Sequence, residues 1–244
     1  MATIPVPIRP DKAQKDSLKA ELALFKRRRI REEAAHLIFQ QGYESATIDA
    51  IAERLQVTKP FIYSYYKNKG DILSDISRLG ITLALDKLDD CLQAQGSYWD
   101  RLKLVVGSVT QLILENEECI VVYVREEKNL EESAAREIRE LRSLFDHRLA
   151  ELLIAGTKAG EFTVDNAGPI ATTISGMMSW VAFWHNPGGH WSEAEIITTL
   201  IQNVARIVHS PLRLDNMETE TRASDVDATG KPPWPHRGGQ KNKP

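Results

Sequence analysis

The sequence has few of the features that mark secreted, metal-binding or membrane proteins. Only two cysteines, Cys91 and Cys119, occur in 244 residues, and neither lies in a CxxC or another short metal-binding spacing. We therefore expect two free thiols in a reducing compartment. No apolar run approaches the roughly 18 residues of a membrane span, and the N-terminal segment MATIPVPIRPDKAQK lacks the apolar core of a signal peptide. These absences predict a cytoplasmic protein that has no membrane partner.

The sequence signatures of catalysis are also missing. No GxSxG, GxGxxG or P-loop pattern occurs, which argues against hydrolases, dinucleotide-dependent enzymes and NTPases. His185 and His190 flank a Pro–Gly–Gly break instead of sharing one helical face, and this spacing suits a metal poorly. The sequence thus predicts no enzymatic activity, no cofactor and no metal.

Neither sign of charge is in large excess over the whole chain, but one sign is in excess in each of its two parts. The 31 basic and 34 acidic residues sum to a net charge of −3. Residues 1–70 hold 13 basic and 8 acidic side chains, a net charge of +5, so the remainder carries −8. A basic segment can bind a polyanion by releasing its counterions, although a solvated charged face would look the same. The split indicates two segments with different tasks.

What the chain does contain is helical periodicity. Apolar residues make up 42% of the sequence and recur at intervals of three and four, which predicts an all-α fold of about nine helices. A β-branched run at 120–124 leaves a strand open there, but a single strand would have no partner. We expect a Pro-rich flexible arm at 1–17, a first domain at 18–70, a second at 71–210 and a disordered polar tail at 211–244.

Residues 47–65 place two short helices around a tight turn, which is the pattern of a helix-turn-helix. Thr47 and Thr58 are N-cap candidates, and Pro60 suits the first turn of the second helix. The N-terminal end of such a second helix presents polar groups to the major groove and free N–H groups to phosphate. The pattern therefore predicts DNA binding.

Residues 29–73, with Gly42, Tyr43 and Val57 at matching positions, resemble the DNA-binding domain of the TetR family of repressors. The resemblance implies that Thr47 contacts phosphate and that the start of the second helix faces the groove. Tyrosine hydroxyls and a lysine would grip the DNA backbone, although Tyr66 fits the domain core better. The candidate DNA-binding residues are Thr47, Thr58, Lys59, Pro60, Phe61, Tyr63, Tyr65 and Lys69.

Two residues depart from the family pattern. Gln56 stands in the turn where the family often has glycine, and Gly70 stands where it often has glutamate. The first departure predicts a positive φ at Gln56, a conformation that glycine adopts more readily. Neither departure removes a proposed DNA contact.

The resemblance also implies an all-α regulatory domain that binds a small molecule and forms a homodimer through the last two helices. Those helices correspond to 168–185 and 192–209, and both are strongly apolar. The aromatic and sulfur residues near 177–184 fit core or interface at least as well as a pocket. We expect a repressor that binds a pseudo-palindromic operator as a dimer.

The stretch GMMSWVAFWHNPGGHWSEAEI resembles a subgroup whose effectors tend to be acyl-CoA thioesters. Such a ligand needs cations for its phosphates and an apolar tunnel for its acyl chain. Each arginine could instead pair with a neighbouring glutamate. The alternative effector is a lipophilic drug or aromatic compound in a repressor that controls efflux, with Glu115, Glu117 or Glu118 facing a cation. The candidate effector-binding residues are Arg125, Arg139, Arg142, Phe145, Leu149, Met177, Trp180 and Trp184.

Overall fold

The computed structural model describes residues 12–209, which form nine α-helices and one 3₁₀ turn and contain no β-strand. This confirms the predicted all-α class. None of these nine helices is long and apolar enough to cross a membrane. The elements in order are α1 (Lys12–Gln41), α2 (Ile48–Arg54), α3 (Lys59–Tyr63), α4 (Lys69–Gln93), α5 (Tyr98–Glu115), α6 (Glu117–Glu126), the 3₁₀ turn (Glu127–Asn129), α7 (Glu132–Lys158), α8 (Ala167–Trp184) and α9 (Glu193–His209).

Helix ends follow the capping chemistry of the sequence. Thr47 caps α2 by accepting a hydrogen bond from the backbone N–H of Ala50 at 3.1 Å. Ser192 and Glu195 form the predicted capping box at the start of α9, and the backbone N–H of Ser192 lies 2.8 Å from the Glu195 carboxylate. The run at 120–124 lies within α6, so the strand alternative is wrong.

The predicted flexible arm at 1–17 is wrong for residues 12–17, which belong to α1. Apolar periodicity did not predict this turn and a half because the segment KAQKDS contains no large apolar residue. Leu18 and Leu22, just beyond it, are exposed. Lysine, alanine and glutamine are strong helix formers without burial, and they are frequent in this segment. Residues 1–11 of the predicted arm and the predicted tail at 211–244 lie outside the described residues.

Two hydrophobic clusters organise the described helices. The N-terminal cluster joins α1, α2, α3 and the first turns of α4, and it includes Ile72 and Ile76. The C-terminal cluster joins the rest of α4 with α5, α7, α8 and α9. α6 belongs to both, because Val121 lies in the C-terminal cluster and Val122 in the N-terminal one. α4 and α6 therefore connect the two clusters mechanically, and α4 crosses the predicted domain boundary at residue 70.

Asp75 links α4 to the N-terminal cluster through a buried polar network. Its carboxylate accepts hydrogen bonds from the Tyr66 hydroxyl at 2.5 Å and from Arg27 Nε at 3.0 Å, and Arg31 lies 3.6 Å away. Burial acts to raise the pKa of Asp75, but the hydrogen bonds from Tyr66 and Arg27 and the charges of Arg31 and Arg27 outweigh it and lower the pKa. Tyr66 is itself buried, as the core interpretation expected.

The turn between α2 and α3 has the conformation that the sequence predicted. Gln56 has φ +55°, and it is the only non-glycine residue with positive φ among residues 12–209. Its N–H donates to Glu53 O at 3.0 Å, and the N–H of Val57 donates to Ala52 O at 2.9 Å, so the turn closes the end of α2. A β-carbon in this region is strained by about 1–2 kcal/mol.

We expect Gln56→Gly to raise the free energy of unfolding. Relief of the strain outweighs the extra freedom of glycine in the unfolded chain, which leaves a net gain of about 0.5–1 kcal/mol. Urea unfolding followed by far-UV circular dichroism measures this. Gln56→Ala is the matched control, since it keeps the β-carbon, and an equal gain there would contradict the strain argument.

Candidate functional site

The exposed start of α3 brings together the first group of predicted DNA-binding residues. Thr58, Lys59 and Pro60 are all exposed there, and the Thr58 side chain makes no capping hydrogen bond. Lys59 Nζ lies 2.8 Å from a carboxylate oxygen of Asp49 on α2, and this hydrogen bond raises the pKa of Lys59. The start of α3 thus offers an unused hydroxyl and a cation held by one exposed partner.

The aromatic residues of this region divide between surface and core. Tyr63 is 47% exposed. Phe61 and Tyr65 are partly buried and lie against each other, with ring centroids 5.2 Å apart. Tyr63 is therefore the most exposed of these three aromatic residues, and its contact with phosphate stays a prediction.

Lys69 has a role within the chain that the sequence did not indicate. Its ammonium donates to Tyr43 O at 2.7 Å and to Glu44 O at 3.4 Å, and it lies 4.1 Å from the centroid of the Tyr43 ring. These contacts tie the start of α4 to the turn before α2, where Thr47 lies. Lys69 positions the helix-turn-helix, and its contact with phosphate stays a prediction.

The positive charge of the first 70 residues is concentrated in the first part of α1. Residues 12–29 contain seven basic and two acidic side chains. Lys26 Nζ lies 5.7 Å from the centroid of the Phe61 ring, so the end of this segment lies close to α3. Basic side chains next to the exposed start of α3 extend the surface that attracts a polyanion.

A cavity of about 330 Å³ lies between α4, α5, α6, α7 and α8, and we call it the central cavity. Its volume is at the lower end of the range for small-molecule sites. The walls are mainly apolar, with Ile113, Ile120 and Phe145 as examples. Trp180 lines it and stacks on Phe183, with ring centroids 4.6 Å apart. The remaining lining residues include Ser77, Gly80, Ile81, Ala84, Val109, Tyr123, Val124, Glu127, Ile138, Arg142, Asp146, Ser175, Gly176, Met178 and Ser179.

A second, polar depression of about 540 Å³, the outer groove, adjoins the central cavity. Arg139, Arg142 and His147 line it from α7. Four residues line both spaces, so the two spaces adjoin each other. The shared residues are Tyr123, Glu127, Arg142 and Asp146.

The structure brings three of the eight predicted effector residues to the central cavity: Arg142, Phe145 and Trp180. Arg142 also donates to the Tyr123 hydroxyl at 3.3 Å. Arg139 lies in the outer groove, where it pairs with Glu132 at 2.8 Å. The predicted salt bridge with a nearby glutamate is therefore present for Arg139.

Four predicted effector residues line neither the central cavity nor the outer groove. Leu149 is fully buried in the C-terminal cluster, and Met177 packs against that cluster. Arg125 lies over the Phe39 ring at 5.4 Å, and Trp184 contacts Trp191 edge-on at 6.2 Å. Helical spacing predicted which face each residue occupies, but it carries no information on how far along a helix the cavity extends.

The sequence did not reveal the α4 and α5 walls of the cavity. Ala84, Val109 and Ile113 belong to ordinary apolar stripes, which look the same whether they face a core or a cavity. Ser77 could have drawn attention, since a serine within the apolar face of a long helix is unusual. Its surroundings emerge only from the packing of α4 against α6 and α7.

Comparison with known proteins gives two family models. Residues 30–76 match the model described as bacterial regulatory proteins of the tetR family. Residues 95–208 match the model described as the C-terminal domain of tetracycline-repressor-like proteins. The first match covers the helix-turn-helix, and the second covers α5 to α9 with most of the central cavity.

Individual relatives agree with these models. The chain is 23% identical over 132 residues to the fatty acid metabolism regulator protein of Bacillus subtilis (strain 168), covering 54% of this chain and 68% of that one. It is 28% identical over 141 residues to the transcriptional repressor KstR of Mycolicibacterium smegmatis, covering 57% and 68%.

A crystal structure of AibR in complex with isovaleryl coenzyme A and operator DNA is similar in fold. It has a TM-score of 0.64 and 22% identity, and the match covers 73% of this chain and 97% of AibR. With family models on both the helix-turn-helix and the cavity-bearing helices, the chain belongs to the TetR family of transcriptional regulators, which bind DNA and are not enzymes.

Proposed function

We propose that this protein is a dimeric repressor that an acyl-CoA thioester releases from its operator. The observation that carries the proposal is the pairing of two spaces: an apolar cavity for an acyl chain and an adjoining groove with Arg139, Arg142 and His147 for phosphates. The names of two relatives, a fatty acid metabolism regulator and KstR, and the CoA complex of AibR support this effector class.

On the DNA side, we propose that residues 18–70 read a pseudo-palindromic operator. Thr47, Thr58 and Tyr63 would contact phosphates, and Lys59 and Pro60 would face the bases, with Phe61 and Tyr65 supporting them. The exposed start of α3 supports this, because it presents these groups without competing capping bonds at Thr58. The cations of α1 at 12–29 would add contacts to flanking phosphates.

For the dimer, we propose an interface formed by α8 and α9, as predicted at 168–185 and 192–209. Trp180 and Trp184 are 61% and 41% exposed on α8, and Trp191 just before α9 is 45% exposed. Three exposed tryptophans on neighbouring segments form an apolar surface of the kind that interfaces bury. A two-fold pairing through this surface would match the symmetry of a pseudo-palindrome.

The effector would act through α4 and α6, since both line the central cavity and both enter the N-terminal cluster. Ile120, Tyr123 and Val124 of α6 line the cavity, while Val122 between them packs into the N-terminal cluster. A ligand that shifts either helix must move α1 and the helix-turn-helix with it. The spacing of the two α3 helices in a dimer would then no longer fit two operator half-sites.

The carboxylates predicted for the cation-binding alternative do not line the central cavity. Glu117 and Glu118 bond to His185 at 3.1 Å and to His36 at 2.9 Å, and neither lines the cavity, nor does Glu115. Asp146, which does line it, already accepts hydrogen bonds from Ser175 and Thr172. Efflux control and the cytoplasmic location stay predictions.

We expect octanoyl-CoA to weaken operator binding by about tenfold, a typical coupling between effector and DNA. An operator selected from random duplexes with the purified protein serves as probe, and fluorescence anisotropy measures its affinity with and without ligand. CoA and octanoate alone are the controls, since each fills only one of the two spaces. Unchanged affinity with a series of acyl-CoA thioesters would refute the effector class, and release by tetraphenylphosphonium would favour the lipophilic-cation alternative.

A further inference from the structure

The hydroxyl of Ser77 is a polar group of the central cavity that has no hydrogen-bond partner among residues 12–209. Ser77 is 5% exposed and lines the cavity from α4, and its Oγ is buried. A buried hydroxyl without a partner is unfavourable, and such groups in native proteins call for an explanation. A ligand that accepts a hydrogen bond from this hydroxyl would explain why it is unpaired.

The other two serines of the cavity do not share this property. Ser179 Oγ donates to Ser175 O at 2.9 Å. Ser175 Oγ donates to Asp146 at 2.7 Å and also lies 3.1 Å from Thr172 O. Both hydroxyls are therefore satisfied within the chain, which leaves Ser77 as the serine of this cavity that is free to bind a ligand atom.

The surroundings of Ser77 restrict what that ligand atom can be. Gly80, one turn further along α4, lies against Ile120. Ile81 and Ile138 also line the central cavity. Within the described part of the chain, Arg142 is the one cationic side chain that lines the cavity. A neutral acceptor such as a carbonyl oxygen suits this site better than a carboxylate, because burying an unpaired charge is costly.

We propose that Ser77 is a ligand-binding residue that donates a hydrogen bond to a carbonyl oxygen of the effector, which in an acyl-CoA is the thioester carbonyl. The proposal rests on the role of the central cavity as the effector site. It makes the cavity selective for ligands with a carbonyl over ligands of the same shape without one. Ser77 lies two residues from Asp75, so this bond is made on the helix that anchors the N-terminal cluster.

The test compares two ligands and three variants by isothermal titration calorimetry. Octanoyl-CoA carries the carbonyl, and S-octyl-CoA, a thioether, lacks it. We expect Ser77→Ala to weaken octanoyl-CoA binding by about three- to tenfold and to leave S-octyl-CoA binding unchanged. Ser77→Thr, which keeps a hydroxyl, should retain the preference for the thioester, and Ser179→Ala should leave it unchanged.

Two outcomes would overturn the proposal: equal loss for both ligands in Ser77→Ala, or no loss for either. Stability without ligand gives a second readout. Ser77→Ala should raise the melting temperature because it removes an unpaired buried hydroxyl, whereas Ser179→Ala should lower it. A lower melting temperature in Ser77→Ala would show a structural hydroxyl and refute the ligand role.

The proposal can fail separately from the acyl-CoA function. If octanoyl-CoA binds and Ser77→Ala has no effect, only the Ser77 proposal is wrong. If no CoA compound binds, 2-octanone and its isostere 2-methyl-1-octene repeat the comparison without a CoA moiety. A ketone preference that Ser77→Ala removes would then support Ser77, and its absence would refute it.

Discussion

Replacing Asp75 by alanine should cost about 3 kcal/mol of unfolding free energy. Its side chain is 12% exposed, and its loss leaves Arg31, which is 16% exposed, without its counterion. The Tyr66 hydroxyl also loses its 2.5 Å hydrogen bond to Asp75 and keeps a longer one to Arg27 O at 3.3 Å. Breaking a buried ion pair costs about 3–5 kcal/mol, and the 43% exposure of Arg27 places the value at the low end. Urea unfolding followed by far-UV circular dichroism measures the loss.

Glu137→Ala is the matched control for Asp75→Ala. Glu137 pairs with Arg78 between α7 and α4 at 3.0 Å, but both side chains are at least 40% exposed. Such surface pairs contribute about 0–1 kcal/mol. Similar small losses for the two variants would show that the network at Asp75 does not anchor α4.

The same contribution should depend on pH. The pKa of Asp75 is lower in the folded protein than its value of about 3.9 in the unfolded chain. Its stabilisation is therefore fully present above about pH 4 and is lost as pH falls through the lower, folded pKa. The difference in stability between the wild type and Asp75→Ala should be constant at neutral pH and shrink in acid; a difference that grows in acid would contradict the lowered pKa.

Replacing Lys59 by alanine should weaken binding to the selected operator by about 10- to 100-fold and reduce discrimination against unrelated DNA. Lys59 stands on the first turn of α3, the part expected to enter the major groove. Fluorescence anisotropy with the operator and with a scrambled duplex measures both effects. Lys103→Ala is the matched control, because the Lys103 side chain is 40% exposed and also pairs with an aspartate, Asp100, at 2.8 Å.

Substitution of Asp49, the partner of Lys59, should have the opposite effect on operator binding. In the free protein its carboxylate holds Lys59, and it would repel DNA phosphates. Asp49→Asn should therefore strengthen operator binding.

Lys69→Ala, by contrast, should weaken binding to the operator and to the scrambled duplex equally, since Lys69 supports the turn before α2. Equal loss of discrimination in Lys59→Ala and Lys69→Ala would refute the separate roles.

The helix-turn-helix could be predicted from the sequence because its signals are local. Capping at Thr47, the turn at Gln56 and the apolar spacing of α2 each involve residues within a few positions of one another. The capping box at Ser192 and Glu195 is equally local. Each of these features depends only on residues close together in the sequence, and the structure confirmed each of them.

The cavity could be predicted only in part, because it depends on contacts between residues far apart in sequence. Phe145, Trp180 and Arg142 were predicted from the apolar tunnel and the cations that an acyl-CoA needs, and they line the cavity. Leu149, predicted with them and one turn beyond Phe145, is fully buried core. Which positions along a face meet empty space depends on how five helices pack together. The start of α1 was not predicted as helix because residues 12–17 contain no large apolar residue and therefore show no apolar periodicity.

By itself, the sequence determined the helical class, the caps, the positive φ at Gln56 and the separation of a basic N-terminal segment from an acidic remainder. These follow from local sterics, hydrogen bonding and composition. Only the tertiary structure decided that Lys69 binds the chain's own carbonyls, that Asp75 joins α4 to α1, and that Ser77 faces a cavity without a partner. Each of these depends on which distant residues come within hydrogen-bond distance, and that is a property of packing.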